Sequence, residues 1–285
     1  MKATRIGSAL GAEVRDVRIA EVDEHAAREI EKLLWQHQVL LFPDQHPSVD
    51  EHVAFGQRFG ELAGHPHLAN PESEHEKLFE LYGSRGGVAD EWHSDLSFLE
   101  QPSIYSILHM VECAEMGGDT QWANLYQVYD ELSPPLQELC EGLTAIHNAR
   151  PHGRPEVMYA HPLVRRHPET GRKVLFVNEH FTRRIVELSQ DESENLLSHL
   201  TRFIAQPRFH LRYRWSNGTL AMWDNRCTQH SVLNDFDGER IIQRVTIMGD
   251  RVEGAAPRWQ PYRPPGGKSD TFRKDRILNE YLAKR

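Results

Sequence analysis

The sequence predicts a mixed α/β chain with a β-sandwich core decorated by helices. Two observations carry this. Phe209, Leu211, Tyr213 and Trp215 alternate with polar residues, the mark of a half-buried strand, and other short apolar runs recur along the chain. Capped amphipathic helices are interleaved with them, but without the βαβ regularity of a doubly wound parallel sheet.

The elements follow in order. Ala26, Ile30, Leu33 and Leu34 fall on one helical face, so about 23–37 reads as a helix. Gln38–Phe42 is a short buried strand stopped by Pro43. Ser48 with Glu51 three residues on reads as a capping box opening a helix to about Phe59. Gly60–Ala89 is loop-rich, with one strand candidate at Leu78–Tyr82. Ile104–Met110 reads as a strand, and Asn124–Leu132 and Pro134–Leu143 as consecutive helices. Val174–Val177 reads as a strand. Ser189 with Glu192 opens a helix whose apolar side carries Leu196, Leu197, Leu200 and Ile204. Leu220–Trp223 and Arg240–Met248 are the last strands. About 250–267 is rich in Pro and Gly, and a charged helix from about Thr271 reads as a peripheral element or an oligomer contact.

Composition narrows the function classes. The 42 acidic residues outnumber the 33 Lys and Arg, a net charge of −9 that argues against a nucleic-acid surface. The sequence has no apolar run long enough for a membrane span and no apolar signal core at its start. Three scattered cysteines, Cys113, Cys140 and Cys227, build neither a disulfide framework nor a Cys-rich zinc site, and a cytoplasmic location is expected. The unusual count is 17 histidines.

The sharpest local feature is Glu91-Trp-His93-Ser-Asp95. In a strand, residues i and i+2 share a face, so His93 and Asp95 would project together and Ser94 away. One imidazole and one carboxylate need at least one more protein ligand. Two histidines and a carboxylate on one face leave open positions, the ligand set of non-haem Fe(II) oxygenases. Trp223-Asp-Asn-Arg-Cys-Thr-Gln-His230 supplies a second histidine, and Arg240-Ile-Ile-Gln-Arg244 follows ten residues later. As a strand, that last segment puts Arg240, Ile242, Arg244 and Thr246 on one face.

His93-x-Asp95, His230 and Arg240, in this order, resemble the taurine dioxygenase (TauD/TfdA-like) family of Fe(II)- and 2-oxoglutarate-dependent oxygenases. Further matching stretches are Phe59-Gly-Glu-Leu62, Gly117-Gly-Asp-Thr120, His161-Pro-Leu-Val164 with His167-Pro-Glu-Thr-Gly171, Phe176-Val-Asn-Glu179 and Trp223-Asp-Asn-Arg226. The resemblance runs from about residue 5 to about residue 250. It implies a double-stranded β-helix, or jelly roll, in one dioxygenase domain over 1–255, with 256–285 as a C-terminal extension. It implies His93, Asp95 and His230 as iron ligands, Thr120 and Arg240 as the groups binding 2-oxoglutarate, and O2 as co-substrate. His65, Phe181 and Arg244 match positions that hold the sulfonate end of taurine. The intact carboxylate ligand implies hydroxylation rather than halogenation.

The chain departs from the taurine pattern at Ala89, where the family has a substrate-contacting asparagine, and at Leu68, where it has a tyrosine. Both changes remove polar groups and point to a larger or more apolar acid: an alkyl sulfonate, a sulfate ester or an aryloxy carboxylate. Hydroxylation of the carbon bearing the sulfonate, sulfate or ether oxygen would release sulfite, sulfate or a phenol together with an aldehyde or keto acid. The products of the co-substrate would be succinate and CO2, and relatives of this kind imply a homo-dimer or tetramer. The alternative is a metal-dependent hydrolase or isomerase on the same fold, since zinc sites also use three protein ligands with an open position. Other readings stay open at single residues: Arg240 in a surface ion pair with Asp237 or Glu239, Arg244 in a structural ion pair, Phe181 as plain core, and Asp224 and Asn225 as turn residues or supports for the ligands. His46, His52, His75, His152, His167, His199 and His210 read as solvated.

Overall fold

The computed structural model describes residues 1–63, 76–83, 89–264, 266 and 276–284. The chain is mixed α/β and divides into two compact units. The first comprises Met1–Asp95, Ser103–Asn124 and Pro207–Asp250, and the second Leu96–Pro102, Leu125–Gln206 and Arg251–Arg285.

The first unit holds two sheets. The larger runs in the order Lys2–Arg5, Ala12–Arg15, Val39–Phe42, Leu220–Asp224, Ser103–Glu112, Ile241–Met248 and Leu62–Ala63, with Phe79–Tyr82 also paired to Ile241–Met248. Its pairs are antiparallel except Ala12–Arg15 with Val39–Phe42. The smaller is His210–Tyr213, Thr120–Asn124 and Thr228–Val232, antiparallel throughout.

Strand alternation sorts the side chains of the larger sheet into two cores. Leu40, Phe42, Tyr105, Ile107, Leu220, Met222, Val245 and Ile247 pack with residues of helices Glu24–His37 and Val49–Gln57. Val39, Leu41, Leu108, Met110, Ala221, Trp223 and Ile242 pack instead with Trp122 and Leu211 of the smaller sheet. One face is therefore covered by helices and the other by a second sheet. The segment between Leu220–Asp224 and Thr228–Val232 crosses from one sheet to the other in three residues.

The capping boxes read at Ser48 and Ser189 form, and the first helix has caps of its own, with Gln38 ending it rather than opening the next strand. Asp23 caps Glu24–His37 by accepting from the Ala26 N–H, and Gln38 ends it in the left-handed region at φ 63°. Ser48 and Ser189 each form both halves of a capping box, with Glu51 and Glu192, at the starts of Val49–Gln57 and Gln190–Ile204.

The second unit has helices Leu125–Asp130 and Pro134–Glu141, a sheet in the order Thr182–Ile185, Thr144–Ala149 and Arg154–Pro162, and a strand pair Val164–Arg166 with Lys173–Leu175. Its terminal helix, Arg276–Ala283, buries Leu278 against Ile146, Ala160 and Val186. Across the described residues no helix is long and apolar enough to cross a membrane.

Two expectations need correction. His52 and His167 are fully buried rather than solvated. His52 lies on the inward face of its helix and shares a hydrogen bond between Nε2 and the Ile107 carbonyl at 3.1 Å. The Nδ1 of His167 accepts from the Glu169 and Thr170 N–H groups, so it organises its own turn. Polar residue type at these positions misrepresents burial, because a neutral imidazole with a partner is tolerated inside.

Burial has a pH consequence. It pushes the His52 pKa down to about 3, with His109 beside it acting in the same direction. Burial likewise pushes His147 of the second unit well below its ordinary value. The unfolded chain takes up these protons near pH 6.5, whereas the folded chain does not. Stability is thus fully present above about pH 6.5 and is lost as pH falls below it, by up to about 1.4 kcal/mol per pH unit for each such histidine. Urea unfolding at pH 7.5 and pH 5 should show the drop, and His52→Leu should make the slope shallower. An unchanged slope in His52→Leu would show that His52 is not responsible.

Candidate metal and anion site

The site lies in the first unit, on the inward faces of its two sheets. His230 is in Thr228–Val232, opposite Trp122, and its strand partner Thr120–Asn124 places Thr120 opposite Val232. On the larger sheet, Ser106 pairs with Thr246 and Arg244 with Leu108, on the same face as Ile242 and Trp223.

His93 and Asp95 meet His230, although not as a strand would bring them. His93 sits in an isolated bridge to His230, with N–H to carbonyl bonds in both directions at 3.1 and 2.8 Å. Asp95 then begins a turn. Ser94 points away, as expected, and donates to the Thr228 carbonyl at 2.7 Å. His230 is also inside its own strand rather than beyond the end of Leu220–Asp224.

The three candidate ligand atoms all lie within 4.8 Å of one another, and all three residues are buried. His93 Nε2 is 3.8 Å from Asp95 Oδ1, and His230 Nε2 is 4.0 Å from Asp95 Oδ2. These distances are too long for hydrogen bonds. The Nδ1–H of His93 donates to the Glu91 carbonyl at 2.8 Å, which leaves the Nε2 lone pair facing Asp95. Two imidazoles and a carboxylate aimed at one point are a donor set that a divalent cation fits.

Asp95 stays ionised. Burial works to raise its pKa, but Arg244, His230, His93 and a Ser106 hydrogen bond outweigh it and hold the group below the usual carboxylate range. Arg244 Nη1 donates to Asp95 Oδ1 at 3.1 Å, and Ser106 Oγ donates to Oδ2 at 2.7 Å. The structural ion pair was thus the correct alternative for the Nη1 of Arg244. Its Nε is buried and has no hydrogen-bond partner among the described residues.

Arg240 is different. It is 3% exposed, so the surface ion pair with Asp237 or Glu239 is not formed. Its Nε donates weakly to the Gly118 carbonyl at 3.4 Å, and its Nη2 has no hydrogen-bond partner among the described residues. Burial lowers its pKa to about 10, so it remains cationic at neutral pH. Arg226 in the same unit shows the contrast. It forks onto Asp224 at 2.9 and 2.7 Å, and this partner overcomes the effect of burial and raises its pKa. A buried guanidinium without a carboxylate partner among the described residues fits a carboxylate that arrives with a ligand.

Gly117 and Gly118 set this corner. Both take positive φ, 76° and 68°, and a Cβ on Gly117 would collide with the Asp235 backbone. The turn delivers the Gly118 carbonyl to Arg240 and starts the strand at Thr120. Thr120 is buried, and its Oγ1 accepts the Trp215 Nε1–H at 2.9 Å, leaving the hydroxyl hydrogen to donate elsewhere.

Phe181 is in the second unit, buried beside Phe98, His152 and His180. His65 and Leu68 lie outside the described residues. Ala89 is exposed, and its carbonyl accepts from the Val232 N–H. Sequence reasoning missed Ser106 and Trp215 as partners of site residues. Ser106 carries no local motif, and only strand parity places it with Arg244.

The family model described as "Taurine catabolism dioxygenase TauD, TfdA family" matches residues 2–246. An alkylsulfatase of Acinetobacter baylyi is 32% identical over 278 residues, covering 90% of this chain and 87% of the relative. An alpha-ketoglutarate-dependent 2,4-dichlorophenoxyacetate dioxygenase of Cupriavidus pinatubonensis is 34% identical over 278 residues, 86% of this chain and 96% of the relative. The crystal structure of a taurine dioxygenase from Burkholderia xenovorans superposes with a TM-score of 0.81 at 32% identity, covering 92% of this chain and 96% of that one.

The two buried arginines should respond oppositely to loss of charge. Arg226→Met strands Asp224 and should cost about 3–5 kcal/mol in urea unfolding. Arg240→Met strands no carboxylate among the described residues and should be neutral or stabilising. A loss of several kcal/mol in Arg240→Met would mean that this guanidinium has a carboxylate partner within the fold.

Proposed function

Because the chain belongs to the taurine catabolism dioxygenase TauD, TfdA family, we propose that it is a 2-oxoglutarate-dependent non-haem iron dioxygenase that hydroxylates a small acidic organic molecule. The observation that carries this is the buried His93, Asp95 and His230 cluster, in the same unit as the buried Arg240, whose Nη2 has no hydrogen-bond partner among the described residues. We read the two packed sheets as a double-stranded β-helix, and 1–255 as one dioxygenase domain with 256–285 as its extension. A cytoplasmic homo-dimer or tetramer is part of the same reading.

His93 Nε2, His230 Nε2 and an Asp95 oxygen would hold Fe(II). Iron held there couples oxidative decarboxylation of 2-oxoglutarate, giving succinate and CO2, to insertion of one atom of O2 into a substrate C–H bond. The chain itself binds and orients. Arg240 takes the distal carboxylate of 2-oxoglutarate with a planar fork already fixed by burial. Thr120, its oxygen held by Trp215, donates its hydroxyl hydrogen to a carboxylate of the same molecule. Arg244 would bind the acidic end of the substrate, and His65 and Phe181 are assigned to substrate binding on the family resemblance alone. The surrounding apolar core excludes water and strengthens each of these charge contacts.

The substrate class is an alkyl sulfonate, a sulfate ester or an aryloxy carboxylate. Relatives named as acting on a dichlorophenoxyacetate or as an alkylsulfatase support that range. A hydroxyl placed on the carbon next to sulfonate, sulfate or ether oxygen gives a product that breaks down to an aldehyde or keto acid with sulfite, sulfate or a phenol. A hydrolase or isomerase would have no use for a buried arginine that lacks a carboxylate partner among the described residues.

Succinate formed from 2-oxoglutarate under air with Fe(II) should rise with one or more members of a panel of sulfonates, sulfate esters and aryloxy acids, and exceed that with taurine. His93→Ala should abolish it. Arg240→Met should raise the KM for 2-oxoglutarate by roughly 30–150-fold, the value of about 2–3 kcal/mol for a charged hydrogen-bonded pair. Equal turnover of taurine and of the larger acids would contradict the substrate assignment. An unchanged KM would remove Arg240 from it.

A further inference from the structure

We propose that Asn225 is a positioning residue for the Asp95 carboxylate, acting through the hydroxyl of Ser106; this rests on Asp95 being a metal ligand. Asn225 is buried, and the amide has four hydrogen bonds. Its Oδ1 accepts from Trp223 Nε1 at 3.0 Å and from the Asp95 N–H at 3.3 Å. Its Nδ2 donates to Ser106 Oγ at 2.8 Å and to Ser103 Oγ at 3.2 Å. The orientation is forced, since a flipped amide would aim N–H groups at two N–H donors.

This fixed polarity sets the protons of both serines. Each Oγ receives a hydrogen from Asn225, so each must send its own hydrogen onward. Ser103 donates to the Asp95 backbone carbonyl at 3.0 Å, and Ser106 donates to Asp95 Oδ2 at 2.7 Å. One amide therefore holds the N–H, the C=O and one carboxylate oxygen of the same residue. The carboxylate is then held from two sides, by Ser106 on Oδ2 and by Arg244 on Oδ1. Without the Ser106 bond, Arg244 is the one side-chain hydrogen-bond donor left to this carboxylate among the described residues, and its fork would draw both oxygens away from the two imidazoles.

The network differs from ordinary core satisfaction in one testable respect. A purely structural Asn225 would affect folding alone. A positioning Asn225 must affect the affinity of the folded apoprotein for metal. Asn225→Asp keeps the shape but has no hydrogens to give, so Ser106 would turn its hydrogen toward residue 225 and release Asp95 Oδ2. Ser106→Ala removes the same bond with no change of charge. Ser103→Ala cuts only the branch to the backbone carbonyl.

The experiment is anaerobic calorimetric titration of each full-length apoprotein with Fe(II) alone, repeated with Mn(II), alongside thermal melts that establish folding. Asn225→Asp and Ser106→Ala should each weaken binding by roughly 10–100-fold, and Ser103→Ala by less than about threefold. The double variant should bind no more weakly than the weaker single variant, because both substitutions break one chain. If Asn225→Asp does not fold, Ser106→Ala still decides. Binding within about twofold of wild type in folded Ser106→Ala overturns the proposal. His93→Ala separates the two layers. If it loses metal while Ser106→Ala keeps it, only the Asn225 proposal fails. If it binds as wild type does, the ligand reading and the proposal fail together.

Discussion

A carboxylate buried between two β-sheets is the constraint on which the site depends. Asp95 has left water, and its charge survives only because Arg244, Ser106 and the two imidazoles surround it. Those partners come from four separate segments: the Trp92–Asp95 stretch, Ser103–Glu112, Thr228–Val232 and Ile241–Met248. The two sheets must therefore pack in one register, or the anion is stranded. The helices on the outer face and the Trp122–Trp223 core on the inner face supply the burial that gives these charges their effect.

Arginine chemistry divides along the same lines. Arg226 is matched by Asp224 within the crossing between sheets and serves the fold. Arg240 is equally buried and has no such match among the described residues. Arg244, four residues on, is engaged at Nη1, while its Nε has no hydrogen-bond partner among the described residues. Arg240 directly precedes the strand Ile241–Met248 that carries Arg244, and four residues of extended chain span about 13 Å. Under the proposed function this spacing lets one strand serve two acids, the co-substrate at Arg240 and the substrate at Arg244.

Much of the scaffold was legible in the sequence, because caps and alternation are local signals. Asp23, Ser48 and Ser189 open helices where their side chains say they should. The strands that build the site were harder to read. Thr120–Asn124 and Thr228–Val232 carry Thr, Asn and His at their inward positions, so the apolar alternation that announces a strand is replaced by function. His93 and Asp95 converge through a bridge and a turn rather than a strand, so strand parity foresaw their meeting without the geometry that produces it. Arg240 was legible in kind but not in its isolation, which depends on what does not pack beside it. Ser106 had no sequence signal, since a lone serine in an apolar strand is ordinary.

The most direct measurement of the central claim follows the oxygen. With isotopically labelled O2, unlabelled water, Fe(II), 2-oxoglutarate and an accepted sulfonate, sulfate ester or aryloxy acid, one labelled atom should appear in each succinate formed. Succinate should form one-for-one with the oxidised substrate. Substrate cleavage with no labelled succinate, and with the new oxygen drawn from water, would contradict the account and leave a metal-dependent hydrolase in its place.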